Sequence, residues 1–289
     1  MDSLKTITKT QNHQNQTNII KTCSKHGEYQ AVKRIIPGRN RDIEIFTKCP
    51  KCEEEKNMRI KKEHDFKKRI SSELGLKNVG IPKRYRKYNI NDLVAVNDKQ
   101  AEYIKRCKSY IKSFHELLDQ GSSIIFTGKP GTGKTMIALS MVPELLKIMY
   151  KIHFDTRYPI EDFKAEDHRK AVDINPCKYV NVYDFFTEIK KTYRKDAEQH
   201  EDDVFNKYFS TSLLILDEVG VQTGTDFETQ ALFRIIDKRY ADEKPTFLIS
   251  NLIEEDLKEY IGERTVDRFH ENYGSVFTFD WDSFRRNKT

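Results

Sequence analysis

The sequence has 289 residues, of which 37% are hydrophobic and 33% charged, with a formal net charge of +6. So polar a chain concentrates its apolar core in part of its length, and no apolar run approaches the roughly 20 residues that cross a bilayer, which excludes a helical membrane protein. The charge is uneven, with 22 Lys and Arg against 10 Asp and Glu in residues 1–90 and 29 against 35 in residues 91–289, so the amino-terminal part suits nucleic acid, an acidic protein surface or a plain solvated helix.

Residues 1–20 are rich in Gln, Asn and Thr, which predicts a disordered tail. They contain no apolar core of a secretion signal, so a cytoplasmic protein is expected. Five cysteines in such a chain point to a metal or free thiols rather than to a disulfide framework. Residues 21–52 hold Cys23-x-x-His26 and, after 22 intervening residues, Cys49-x-x-Cys52. Two ligand pairs at this spacing wrap one tetrahedral zinc ion, and four protein ligands make the ion structural, because no position stays open. Reduced cysteine pairs beside an incidental histidine are the alternative; a redox Cys-x-x-Cys lacks its βαβ surroundings. Tyr29–Val32 and Ile43–Phe46 read as a short hairpin. Residues 53–80 form a basic helical linker, exposed and weakly amphipathic, with Met58, Ile60, Phe66 and Ile70 as its few apolar points.

Gly80 and Pro82 punctuate the chain, and from about residue 90 short β-branched runs alternate with helical patterns, an α/β signature of a parallel sheet flanked by helices. The strand Ser123–Thr127 leads into Gly128-Lys129-Pro130-Gly131-Thr132-Gly133-Lys134-Thr135, and Met136–Met149 follows as a helix. That is a complete phosphate-binding loop in its proper context: backbone amides and the helix N-terminus cradle phosphates, Lys134 reaches the β and γ phosphates, and Thr135 ligates Mg²⁺. Residues 151–177 form a polar stretch without an assigned role, and Cys107 and Cys177 read as ordinary thiols. After the strand Lys178–Val182, a helix mixes Tyr183, Phe185 and Phe186 with Lys190, Lys191, Tyr193 and Arg194. Phe185, Phe186 and Ile189 fall where core anchors belong; Lys190, Lys191, Tyr193 and Arg194 suit single-stranded DNA, by phosphate tracking and base stacking. The aliphatic strand Leu213–Leu216 ends in Asp217-Glu218, two carboxylates that a bound Mg²⁺ would compensate, Asp217 holding the metal and Glu218 activating water. A third apolar strand ends at Ser250-Asn251, where Asn251 is read as holding the nucleophilic water or sensing the γ phosphate, or as capping the helix that starts near Glu254, roles that can coexist.

These segments together resemble the DnaC-type helicase loaders of the AAA+ class, relatives of the IstB transposition ATPases and DnaA initiators, over roughly residues 80–289. The resemblance rests also on Ile81-Pro82-Lys83-Arg84-Tyr85, on Asp217 to Thr223, on Gly262-Glu263-Arg264-Thr265-Val266-Asp267-Arg268, and on Phe279-Asp280-Trp281-Asp282-Ser283-Phe284-Arg285. It implies an AAA+ P-loop ATPase domain over 81–289, lacking a C-terminal lid, that uses ATP and Mg²⁺ and self-assembles into a ring or spiral. One subunit's arginine then completes its neighbour's site. Arg268 matches that finger best, with Arg264 the rival and Arg239 a weaker one. The implied partners are a hexameric, DnaB-like replicative helicase, docked through the zinc-binding module and the linker at 53–80, and single-stranded DNA in the region of Lys190–Arg194. The alternatives are an IstB-like ATPase regulating a transposase on duplex DNA and a zinc-bearing adaptor with a vestigial ATPase, the latter opposed by intact Lys134, Thr135, Asp217 and Glu218.

Overall fold

The computed structural model describes residues 16–37, 41–157, 176–221, 224–271 and 274–284. The chain divides between Asp65 and Phe66 into two compact units.

In the first unit β1 (Gln16–Cys23), β2 (Gly27–Ile36) and β3 (Ile43–Phe46) form an antiparallel sheet in that order. The expected hairpin is present as β2–β3, but Ile43–Phe46 pairs with Lys33–Ile36 rather than with Tyr29–Val32, which pairs instead with Asn18–Lys21 of β1. β1 corrects the expectation of a tail over 1–20: from Gln16 to Ile20 the chain is strand, paired with β2 from Gln16–Arg34 to Ile20–Gln30, because backbone pairing and β-branched Thr17, Ile19 and Ile20 outweigh the polar composition. The rest of that tail lies outside the described residues. One face of the sheet buries Ala31, while Ile20, Ile36, Ile43 and Ile45 are exposed. Helix α1 (Pro50–Ile70) follows Cys49, with Pro50 at its first turn, where the missing N–H costs nothing. Met58 and Ile60 are exposed along it, as an unburied linker helix requires; the side chains of Phe66 and Ile70 lie outside the described residues.

The second unit contains α2 (Glu73–Val79), a 3₁₀ turn (Lys83–Tyr85), α3 (Asp98–Lys112), α4 (Phe114–Asp119), β4 (Ile124–Gly128) and α5 (Lys134–Arg157). It continues with β5 (Cys177–Asn181), α6 (Val182–Lys191), α7 (Glu201–Phe209), β6 (Leu213–Val219) and α8 (Asp226–Ala241). β7 (Thr246–Ser250), α9 (Glu254–Ile261), α10 (Glu263–His270) and β8 (Ser275–Phe279) complete it. The strands make one parallel sheet in the order β5-β6-β7-β4-β8. Both faces are covered, which is why the central strands β4, β6 and β7 are buried without alternation, while the edge strands β5 and β8 mix in polar, half-buried residues. One core takes Phe126, Ile215, Phe247, Ile249, Phe277 and Phe279 with α3 and α5; the other takes Ile125, Leu214, Leu216 and Leu248 with residues of α6 to α10. The chain passes from β4 across two strands to β5, so the order reverses beside β4, and in open α/β sheets ligands bind outside the carboxyl ends of the strands at such a point.

Of the polar stretch expected at 151–177, residues up to Arg157 continue α5, and residues 158–175 lie outside the described part. Cys107 and Cys177 are fully buried, and burial pushes the Cys107 thiol up to about 12, so it is inert. Arg239 is 1% exposed, and its guanidinium is consumed by the protein itself. Nε donates to Thr246 Oγ1 at 2.9 Å, Nη1 to the carbonyls of Tyr208 and Thr211 at 2.9 and 2.8 Å, and Nη2 to that of Pro245 at 2.7 Å. A cation so satisfied fastens α8 to the entries of β6 and β7, and the reading of Arg239 as a finger is withdrawn, since releasing it would break all of these buried bonds together.

Candidate nucleotide site and metal centre

β4 delivers the phosphate loop and α5 begins at Lys134, as the motif requires. Gly128 has φ +114°, and a Cβ there would lie 2.2 Å from the Phe279 carbonyl oxygen, so strand β8 packs too closely for any other residue. Lys134 is 4% exposed, and its ammonium donates to the carbonyls of Gly128 and Lys129, both at 2.6 Å. A buried ammonium that donates to two loop carbonyls lies within the loop that would hold phosphates.

Two strands away, β6 ends in the acidic pair. Asp217 is 4% exposed. Its Oδ1 accepts from Thr135 Oγ1 at 3.3 Å and from the Glu218 amide at 2.8 Å, and its Oδ2 accepts from the Tyr179 hydroxyl at 2.9 Å. Burial pushes its carboxyl above the usual aspartate range, and the bonds from Tyr179, Glu218 and Thr135 oppose that shift; a divalent cation would oppose it further. Thr135 and Asp217, 82 positions apart, are thus brought together, the donor set of a magnesium held by a hydroxyl and a carboxylate. Glu218 is exposed and has φ +62°, a left-handed conformation that costs a non-glycine residue free energy and clusters at functional sites. Asn181 Nδ2 donates to Glu218 Oε2 at 2.5 Å.

Sequence reasoning missed Tyr179 and Asn181. Asn181 carries a faint signal, since it also caps α6 by accepting from the Tyr183 amide at 2.9 Å, and an Asn between a strand and a helix marks that cap. Tyr179 carries none; its role exists only because β5 lies beside β6, with Asn181 opposite Asp217.

Asn251 lies exposed at the end of β7. The reading of it as a helix cap is corrected: the N-cap of α9 is Ile253, with no side-chain cap, so Asn251 is not tied down as a cap. Its neighbour Leu252 accepts from the Gly128 amide at 3.0 Å, which fixes this strand end against the phosphate loop. Arg264 is exposed on α10. Arg268, one turn on, has a side chain 9% exposed, pairs with Asp237 of α8, and lies over the rings of Phe233 and Tyr240 at 5.3 and 5.2 Å; its Nη1 is buried without a hydrogen-bond partner among the described residues. Gln222, Thr223 and Arg285, which contribute to the resemblance, lie outside the described residues.

On α6, Phe185, Phe186 and Ile189 are buried, whereas Lys190, Lys191, Tyr193 and Arg194 are exposed at its carboxyl end and just beyond. Lys190 lies 5.2 Å over the Phe227 ring, and Tyr193 donates to Glu201 at 3.0 Å. The arrangement separates core anchors from a basic, aromatic surface.

In the first unit Cys23 closes β1, His26 sits in the turn to β2, and Cys49 and Cys52 flank the start of α1. The four ligand atoms lie within 4.8 Å of one another. Cys23 Sγ is 3.5 Å from Cys52 Sγ, and His26 Nδ1 is 3.8, 3.7 and 3.3 Å from the sulfurs of Cys23, Cys49 and Cys52. Tetrahedral zinc with ordinary bond lengths separates sulfurs by about 3.8 Å and sulfur from nitrogen by about 3.5 Å, so the donors fit that ion. The outer nitrogen of His26, Nε2, lies 3.1 Å from Glu55 Oε1, the carboxylate–histidine arrangement that orients a ligating imidazole. Backbone amides of Lys25 and His26 lower the Cys23 thiol to about 6, toward the thiolate that a metal needs, while the neighbouring Cys23 sulfur pushes the Cys52 thiol up to about 11, a cost that a bound cation would offset.

Among the described residues no helix is long and apolar enough to cross a membrane. A parallel sheet flanked by helices, with a complete phosphate loop facing an Asp-Glu pair across its carboxyl edge, defines an AAA+-like P-loop fold, joined here to a Cys/His cluster suited to zinc. No family model matches the chain. It is 28% identical over 207 residues to the replicative helicase loader DnaC of Buchnera aphidicola subsp. Acyrthosiphon pisum (strain APS), covering 72% of this chain and 73% of that one. Its fold matches the crystal structure of the DnaC helicase loader with a TM-score of 0.53 at 18% identity, over 69% of this chain and 100% of that one, and the crystal structure of DnaI with a TM-score of 0.51 at 16% identity, over 70% and 93%. The chain is a homologue of the DnaC-type AAA+ helicase loaders.

Proposed function

We propose that the chain is an ATP-dependent loader that places or remodels a hexameric, DnaB-like replicative helicase on single-stranded DNA. One observation carries this reading: Lys134, Thr135, Asp217 and Glu218 converge at the carboxyl edge of the sheet in a chain that aligns with helicase loaders over 207 residues.

Residues 81–289 bind ATP through Gly128 to Thr135, with Lys134 exchanging its carbonyl partners for the β and γ phosphates. Thr135 and Asp217 hold magnesium, which when bound offsets charge on the transferring phosphoryl group. Glu218 takes the proton of the attacking water, and Asn181, bonded to it, holds or releases that carboxylate. Asn251 faces the γ phosphate. Arg268 leaves Asp237, or Arg264 reaches out directly, to serve a neighbouring subunit in a ring or spiral, so hydrolysis depends on assembly. The zinc module at 21–52 and the basic helix at 53–80 dock on the helicase, and the setting is cytoplasmic. Turnover is slow in the lone protein and rises with DNA or helicase.

Single-stranded DNA is held by Lys190, Lys191, Tyr193 and Arg194, which are exposed together. Reversing three charges, Lys190→Glu, Lys191→Glu and Arg194→Glu, is expected to weaken binding of a labelled oligothymidylate by about tenfold or more and to flatten the slope of log affinity against log salt by about 2. Anisotropy titrations across a salt series measure both. An unchanged slope would remove this surface from the DNA path.

A further inference from the structure

A loop that binds phosphate must turn its amides inward and its carbonyls outward. Here five of the six carbonyls from Gly128 to Gly133 accept hydrogen bonds, and two of the donors come from the far end of the chain. Lys134 serves Gly128 and Lys129, and the Ile137 amide serves Gly133 at 2.9 Å. The Phe284 amide donates to the Gly131 carbonyl at 3.1 Å, and the Trp281 indole Nε1–H donates to that of Thr132 at 3.1 Å. In the other direction, the Lys129 amide donates to the Phe279 carbonyl at 2.8 Å. Residues 279–284 therefore strap the loop from outside.

The strap is itself fixed. Asp280 pairs with Lys99 of α3 at 2.6 Å. The Trp281 ring packs on Phe279 and Tyr103 at 4.8 and 6.1 Å between centroids, and the Tyr103 hydroxyl donates to the Thr278 carbonyl at 3.1 Å. The peptide units it holds lie between Gly131, at φ +79°, and Gly133, at φ +99°, where the absence of side chains would otherwise let a peptide rotate and present a carbonyl to the phosphates. Lys134 cannot prevent this once a nucleotide draws it away; Trp281 and Phe284 stay.

We propose that Trp281 is a positioning residue for the nucleotide site: its indole N–H, with the Phe284 amide, keeps the amides of the phosphate loop facing the phosphates. This rests on the reading of the loop as a nucleotide site. Trp281 is the only tryptophan of the chain, so its emission reports on the loop directly.

The test uses the full chain and magnesium ADP, followed by calorimetry and by tryptophan emission. The wild type is expected to show a saturable emission change that is absent in Lys134→Ala. Trp281→Phe, which keeps an aromatic ring and loses the donor, is expected to bind magnesium ADP about five- to tenfold more weakly with a near-native melting temperature of the free protein, and Trp281→His, which restores a ring N–H, to recover part of the loss. Phe284→Pro, which removes the other donor, is expected to weaken binding similarly. Unchanged affinity in Trp281→Phe, while calorimetry shows the wild type binding, would overturn the proposal alone, whether or not the wild-type emission moves. So would a loss that merely follows a lowered melting temperature and that Trp281→His does not relieve. A wild type that binds no nucleotide would overturn the underlying reading and this proposal with it.

Discussion

Lys134→Ala is expected to lose nucleotide binding by about two orders of magnitude or more and to show no measurable turnover. The ammonium is buried at the head of α5 and donates to the carbonyls of Gly128 and Lys129 at 2.6 Å each. Exchanging those neutral acceptors for phosphate oxygens gives charge-assisted bonds, each contributing about 1.5–3 kcal/mol. Losing two of them corresponds to a factor of at least about 10². The free protein should fold normally, because its apolar sheet cores do not include this side chain. Calorimetry with ATP, alongside circular dichroism, checks both halves. Normal turnover in a folded Lys134→Ala protein would refute the assignment of the loop.

The second large effect concerns the first unit. Among its described hydrophobic residues only Ala31 and Cys49 are buried, and the isoleucines of the sheet, Ile20, Ile36, Ile43 and Ile45, are exposed. Such a unit has almost no hydrophobic core, so ligation must supply its stability; structural zinc binding contributes about 10–16 kcal/mol at neutral pH in comparable small modules. Full-length protein is expected to carry one zinc per chain, and Cys49→Ser with Cys52→Ser to carry none. A strong chelator should abolish the ordered amide signals of residues 16–46 while leaving the melting of the parallel-sheet unit unchanged. Binding releases thiol protons, so affinity falls as pH falls. Metal analysis of both proteins decides the matter; equal zinc in the double variant would count against this centre.

What could be read from the sequence is what is local. The strand, glycine-rich turn and helix around Lys134 are contiguous, and so is the aliphatic run that ends at Asp217, so their chemistry is visible before any folding. The ligand pairs of the zinc cluster are also short-range, and only their meeting requires the fold. What stayed hidden depends on which strands become neighbours. Gln16–Ile20 closes a polar stretch, and its β-branched Thr17, Ile19 and Ile20 settle as strand once β2 offers a partner. Asn181 and Tyr179 reach the carboxylates of Glu218 and Asp217 only once β5 pairs with β6. Arginines look alike in a sequence, yet Arg239 is spent on buried carbonyls, Arg268 is held between Asp237 and two rings, and Arg264 is exposed on α10. Trp281 lies 149 positions from the loop carbonyl it binds, far beyond the reach of any local pattern.

The most direct measurement is helicase loading on a circle. A closed circular single strand bearing an annealed oligonucleotide offers a hexameric ring no free end, so the ring must be opened or assembled around it. With the replicative helicase from the same cell, oligonucleotide displacement is expected only when the wild-type chain and ATP are both present, and not with Lys134→Ala. Equal displacement with and without the chain, or none under any condition while the two proteins fail to co-elute, would contradict the account.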